Sequence, residues 1–280
     1  MGPAPGGTAD SPQSEPESNP ESEPGQAGEW WVVAEEQGRV LLEGVVGSTA
    51  YGLAHAGSDV DRLGVYAAPT ERLFGLHRPG ESVVTTAPDR TLHEAAKWCR
   101  LALSANPTAS ELVWLPEDGY LTRTALGEEL IGIRRSFLSA RAVRNAYLGY
   151  ATQQFRKLVA KEARDDGPGA VPPARLAKHA RHLLRLLEQG VHLHRTGELR
   201  VRVDDPARLR ADGERIAARP GEAEALLAAA EEAFSSPGVL PAAPDERPAE
   251  AWLVRVRLTV LDGWRCAPGG TAEEALARSQ

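Results

Sequence analysis

Apolar and polar positions divide the chain into three stretches of different character. Residues 1–29 are mostly Pro, Gly, Ser and Glu, with almost nothing apolar. Such a stretch cannot offset the entropy of ordering and is predicted to be a disordered tail. From Trp30 the pattern changes. Trp30-Trp31-Val32-Val33-Ala34 opens either a helix or a short strand. The apolar run from Val40 to Val46 predicts a buried strand that stops at Gly47. Ser48 to Leu53 predicts a turn leading into a short helix. Asp59 to Tyr66, Glu81 to Thr86 and Asp89 to His93 predict three further strands.

Helical spacing then takes over. Ala95, Trp98, Leu101 and Ala102 place a helix over 94–104, stopped by Asn106-Pro107. A short helix follows over 109–114, and a long amphipathic one over 140–158. Gly167-Pro168-Gly169 and Pro172-Pro173 mark a loop. After it, Leu176, Ala180, Leu183, Leu184, Leu187 and Val191 form the apolar stripe of a helix over 175–196. Residues 221–234 predict another helix, and 235–248 a Pro-rich linker. Residues 252–260 show some strand-like alternation, but the length of the run up to Trp264 favours a terminal helix. The whole is an α+β pattern: a small N-terminal sheet module followed by a mostly helical half. The boundary is expected between Trp114 and Ser139.

Composition adds bounds. The chain has 280 residues, of which 42% are hydrophobic, enough for a real core. The net charge of −7 is concentrated in the tail, whose six acidic residues leave about −1 for the rest. The acidic balance therefore says little about partners, and a local basic patch could still hold phosphates. Cys99 and Cys266 are the two cysteines, too few for a disulfide framework and without zinc-site spacing. No run is long and apolar enough to span a bilayer, and the N-terminus lacks the pattern of a signal peptide. A cytoplasmic protein without a membrane partner is the expectation.

The candidate chemistry lies between the first two strands. Gly47 allows close backbone approach to a ligand. The turn after it offers amides, and the Ser48 hydroxyl another donor, for the outer phosphates of a nucleoside triphosphate. Ten residues on comes Ser58-Asp59-Val60-Asp61. On a strand, Asp59 and Asp61 share one face, where two carboxylates favour a cation between them. Mg²⁺ suits such a pair together with phosphate oxygens and water. Two such ions could stabilise the attacking and leaving oxygens of a phosphoryl displacement. Each element alone is common in ordinary turns. The run lacks the third acidic position and closing Glu of an EF-hand, and the Lys of a Walker A loop.

In combination these motifs are specific. Gly47-Ser48-Thr49-Ala50-Tyr51-Gly52-Leu53, Ser58-Asp59-Val60-Asp61 and Gly64-Val65-Tyr66 resemble the DNA polymerase beta-like nucleotidyltransferase superfamily. They are most similar to its predicted bacterial and phage branch associated with RNA repair. Asp89-Arg90-Thr91-Leu92-His93-Glu94, Lys97 to Leu103, Ala105-Asn106-Pro107, Glu111-Leu112-Val113-Trp114, Lys178 to Leu187 and Gly197 to Arg202 extend the likeness. It covers roughly residues 40–234.

The resemblance implies a small mixed sheet, two metal-binding aspartates and a third carboxylate on a neighbouring strand. Asp89 is the choice for the third, and Glu94 the runner-up; an Asx turn and a helix-terminus role are their structural alternatives. The implied organisation is a tail over 1–29, a nucleotidyltransferase core over 30–125 and a helical domain over 126–280. The implied reaction transfers a nucleoside monophosphate from an NTP to an acceptor hydroxyl with release of pyrophosphate. Gly47 and Ser48 would hold phosphates, and Asp59, Asp61 and Asp89 would hold Mg²⁺. The branch favours an RNA end as acceptor. A protein- or tRNA-modifying toxin and a catalytically weak nucleotide- or RNA-binding protein are the rivals.

Lys178, Arg181, His182 and Arg185 recur on nearly one helical face. They either contact the triphosphate or an RNA backbone, or form a solvated face above the leucine stripe. Arg141, Arg144 and Lys157 are weaker candidates of the same kind. Asn106 reads as a turn residue, His93 as a buried hydrogen-bonded histidine, and Tyr51 as a base-stacking or core residue.

Overall fold

The computed structural model describes residues 38–162 and 172–265. The tail, Trp30 to Ala34, Gly167-Pro168-Gly169 and Cys266 lie outside the described residues. Five strands make one mixed sheet: β1 (Arg39–Val45), β2 (Arg62–Ala67), β3 (Ser82–Thr86), β4 (Asp89–Glu94) and β5 (Tyr120–Arg123). Their order across the sheet is β3-β4-β2-β1-β5. β2 and β4 are parallel, and every other neighbouring pair is antiparallel. The α+β expectation is met.

Each predicted strand has a physical reason to form. In β1, Leu41 and Leu42 are both buried although adjacent, because a register shift between Val40 and Leu42 inserts an extra residue. One sheet face carries Leu42, Leu63 and Val65 into the main core. The other buries a small cluster of Tyr66, Ala68 and Leu92. β2 starts at Arg62, later than the predicted Asp59. Asp59 and Asp61 therefore sit on the loop leading into the strand rather than on its face.

Helices α1 (Gly47–Ala50) and α2 (Thr70–Phe74) are short and lie between strands. α3 (Ala95–Leu103) buries Trp98, whose ring meets Phe137 edge-on at 5.3 Å. α4 (Pro107–Glu111) starts at Asn106, whose side chain accepts from the Ala109 amide, the turn role expected of it. α5 (Ala125–Gly132) follows β5.

The helical half is built on α6 (Ala140–Glu162) and α7 (Pro173–Thr196). They pack closely at Gly190, where a Cβ would fall 2.7 Å from that of Tyr147. The predicted leucine stripe of α7 faces this core. α8 (Pro206–Ala218) and α9 (Glu222–Ser235) complete the layer. The last helix, α10 (Arg247–Arg265), settles the terminal segment as helix. It returns to the sheet module: the Trp252 indole N–H donates to the Leu126 carbonyl, and Arg257 pairs with Glu94 at 2.5 Å. No helix among the described residues is long and apolar enough to cross a membrane.

Candidate active site

The site forms where β1, β2 and β4 meet at one end of the sheet. β1 ends at Val45, opposite Arg62. The next amide, Val46 N–H, donates to the Asp61 carbonyl at 2.9 Å. β2 and β4 run in register, with Arg62 beside Arg90. Asp61 and Asp89 each stand one residue before that pair. In-register parallel strands point neighbouring side chains the same way, so the two carboxyl groups come within hydrogen-bonding reach.

Gly47 closes the corner. Its φ is +68°, a region that favours glycine. A Cβ there would fall 2.0 Å from Asp61 Oδ2. Only a residue without a side chain lets the carboxylate lie against the turn. Beyond it, Tyr51 N–H donates to the Gly47 carbonyl and Leu53 N–H to the Ser48 carbonyl. The loop is thus folded back on itself. The amides of its first turn have no intrahelical acceptor, as at any helix start.

The electrostatics mark the same point. Burial, then the charge of Asp89 and that of exposed Asp59, hold the Asp61 carboxyl above its ordinary value, against the opposing pull of Lys178. Lys178 on α7 therefore lies near enough to the Asp61 carboxyl for its charge to be felt there. The donor set fits a divalent cation: two neighbouring carboxylates that repel each other and are open to further oxygen ligands. Among the described residues no three His, Cys, Asp or Glu side chains close around a single point as a ready metal cage. Asp59 stands outside the tight pair.

Other predicted residues separate. Glu94 lies at the opposite end of β4, beside Tyr66. It caps α3 by accepting from the Ala96 amide and pairs with Arg257. It does not join Asp61, whereas Asp89 does. Arg181 lies along α8, where its side chain covers Gly213. Burial and the nearby Arg210 lower its pKa, with Glu214 acting in the opposite direction. Arg185 is neither solvated nor turned to the cleft. It is buried, paired with Glu111 and stacked on Tyr51. Tyr51 is accordingly a packing residue. His93 is half-buried and hydrogen-bonded to Ser82, as expected. Arg144 pairs with Glu231.

Two participants carry no role in the sequence reading. Glu111 is fully buried, and its signal was a carboxylate inside the apolar run Ala109 to Trp114. Arg210 approaches the Gly52 carbonyl at 3.5 Å, and its partner Gly52 gave no sequence signal for it.

Comparison with known protein families gives a match. The sequence model of the RNA repair pathway DNA polymerase beta family (RlaP) matches residues 31–237. No curated protein matches the chain in sequence. The family match spans the sheet, the Gly47 turn, Asp59, Asp61, Asp89 and the Lys178 helix, and the chain therefore belongs to the RNA repair pathway DNA polymerase beta family, with a nucleotidyltransferase-type role in RNA repair.

Proposed function

We propose that the protein transfers a nucleoside monophosphate from an NTP to the hydroxyl of an RNA end, releasing pyrophosphate, in the cytoplasm. The observation that carries this reading is the Asp61 carboxyl, lying against Gly47 and paired with that of Asp89. Two carboxylates pressed together beside a side-chain-free turn are costly in isolation and useful around a cation. Asp61 and Asp89, with Asp59 at the rim, would hold Mg²⁺, which supplies charge neutralisation for phosphates and for the departing pyrophosphate.

The chain's own groups divide the remaining work. The Gly47–Ser48 turn and Lys178 bind the phosphates. Arg181, beside Arg210, extends the positive wall away from the carboxylates. Asp89, at the mouth of β4, is placed to accept the proton of the acceptor hydroxyl. The positive charge of Lys178 and Arg181 on α7 and Arg210 on α8 suits a polyanionic acceptor over a neutral one.

The test incubates the protein with each labelled NTP, Mg²⁺, total RNA and cell lysate. Label in RNA that vanishes in the Asp59→Ala, Asp61→Ala double variant supports the reading. Label in protein instead would point to a protein-modifying enzyme. Transfer undiminished in the double variant refutes the metal-site assignment.

A further inference from the structure

We propose that Tyr51, Glu111 and Arg185 form a positioning clamp that holds the Gly47–Leu53 loop at a fixed distance from Lys178. The inference rests on the phosphate-binding reading of that loop. It begins with an anomaly: an ion pair with almost no exposure, 3% for Arg185 and 1% for Glu111, sits in the helical core beside the loop. Burying two charges is expensive unless each is fully engaged. Here each is.

Arg185 Nη1 donates to Glu111 Oε1 at 2.5 Å and to Gln189 Oε1 at 2.6 Å. Its guanidinium lies 3.8 Å over the Tyr51 ring. The Tyr51 hydroxyl donates to the other Glu111 oxygen at 2.7 Å. Tyr51 is thus held by its face and by its tip. Burial and the Glu111 carboxylate keep its phenol well above its ordinary pKa, so it remains a donor. The grip continues through the backbone. Gln189 Nε2 donates to the Arg200 carbonyl at 2.8 Å, and three residues on Val203 N–H donates to the Tyr51 carbonyl at 3.1 Å.

The consequence follows from which helix carries what. Lys178 and Arg185 are on α7, about two turns apart. A rigid helix that carries Lys178 near Asp61 and grips Tyr51 through Arg185 fixes how far the loop stands from Lys178. The loop's own hydrogen bonds shape it, but they do not tie it to α7. Tyr51 does. A site held by rigid supporting contacts loses affinity when those contacts are loosened, even though none of them touches the ligand.

Tyr51→Phe and Tyr51→Leu test this while leaving the Arg185–Glu111 pair in place. Two readouts are taken: hydrogen exchange of amides 47–53 in the ligand-free protein, and KM against kcat with ATP, GTP, CTP and UTP in Mg²⁺. The clamp predicts faster exchange in the loop with α7 unchanged. It predicts a KM for the preferred NTP raised about three- to tenfold by Phe, which loses one hydrogen bond. Leu, which also loses the stacked ring, raises it about tenfold or more. A merely structural tyrosine lowers the melting temperature and moves neither. Unchanged loop exchange, or faster exchange with unchanged KM, overturns the clamp. If Tyr51→Leu does not fold, Tyr51→Phe decides by the same criteria. If the wild-type protein neither binds nor turns over any NTP, the functional reading fails, and loop exchange by itself decides whether the clamp exists.

Discussion

Asp61 bears two demands that conflict in the absence of a cation. It must be ionised to bind metal, yet burial and the neighbouring Asp89 and Asp59 charges raise its pKa. A carboxylate whose pKa is raised on folding contributes stability at low pH that is lost as pH rises through the folded value. Near neutrality, Asp61→Asn should therefore raise the melting temperature of the metal-free protein while lowering transfer by roughly a thousandfold or more. Adding Mg²⁺ should stabilise the wild type and not the variant. Thermal melts with EDTA and with Mg²⁺, beside a transfer assay, check both signs. A variant less stable than wild type in EDTA would show that Asp61 is favourably paired instead. Gly47→Ala probes the same corner from the backbone. Its φ of +68° and the 2.0 Å approach to Asp61 Oδ2 leave no room for a methyl group. The left-handed backbone costs about 1–2 kcal/mol for a residue with a Cβ, and a displaced carboxylate should lower kcat/KM by about a hundredfold. Wild-type activity in the alanine variant would mean that the turn can shift without consequence.

At the scale of elements, the pattern of the chain was readable where local signals agreed with packing. The four N-terminal strands and the helices at 95–103, 173–196 and 222–235 stand close to their predicted places. β5 did not show, because Tyr120–Arg123 is four residues long and finds its order only by pairing with β1. α5 and α8 were missed although both carry caps: Thr124 accepts from Gly127 N–H, and Asp205, followed by Pro206, accepts from Arg208 N–H. The same split runs through the site. Gly47 after β1 and Asp89 at the start of β4 stand where the strand pattern put them, whereas Asp59 and Asp61 were expected on a strand face and lie on the loop before β2. Arg185 could not be placed, since helical spacing puts it on the same face as Lys178 and only the approach of Glu111 draws it inward. Between these two residues lies His182, which links the α6–α7 interface to pH. Burial, and then the charges of Arg185, His179 and Lys178 on α7 and Lys157 on α6, lower its pKa to about 3. A histidine held neutral in the fold contributes stability above its ordinary value near 6.5, and that stability is lost as pH falls from there towards about 3. Denaturant melts between pH 7 and pH 4 should show a falling midpoint that His182→Gln flattens. An equally steep fall in the variant would assign the acid sensitivity to other groups.

For the molecule as a whole, the site and its helical wall lie within residues 47–218, and the family match ends at residue 237. A chain cut at Pro237 would then keep every residue assigned to chemistry. The packing argues that it would not keep the fold. Val239 N–H donates to the His194 carbonyl, Pro241 accepts from the Ala140 amide, and Asp245 N–H donates to the Ser136 carbonyl. The Pro-rich linker is thereby fastened to both helices of the α6–α7 pair and to the segment before them. α10 then covers the sheet module. Trp252 is fully buried, and Thr70 donates through its hydroxyl to the Arg257 carbonyl. Removing α10 also takes the Arg257 guanidinium away from Glu94, 9% exposed beneath the helix, and opens the apolar surface there to water. Trp252→Ala should cost about 3–5 kcal/mol by itself. Losing the whole helix adds the rest of its buried surface and the linker bonds to that figure, against about 5–15 kcal/mol of stability for a typical domain. The shortened chain should therefore lack a cooperative thermal transition and bind no NTP, while Trp252→Ala should unfold cooperatively at a lower temperature. Circular dichroism melts of the three proteins decide it. A chain ending at Pro237 that melts cooperatively near the wild-type midpoint would show that α10 is an attachment to the fold rather than the element that ties its sheet to its helices.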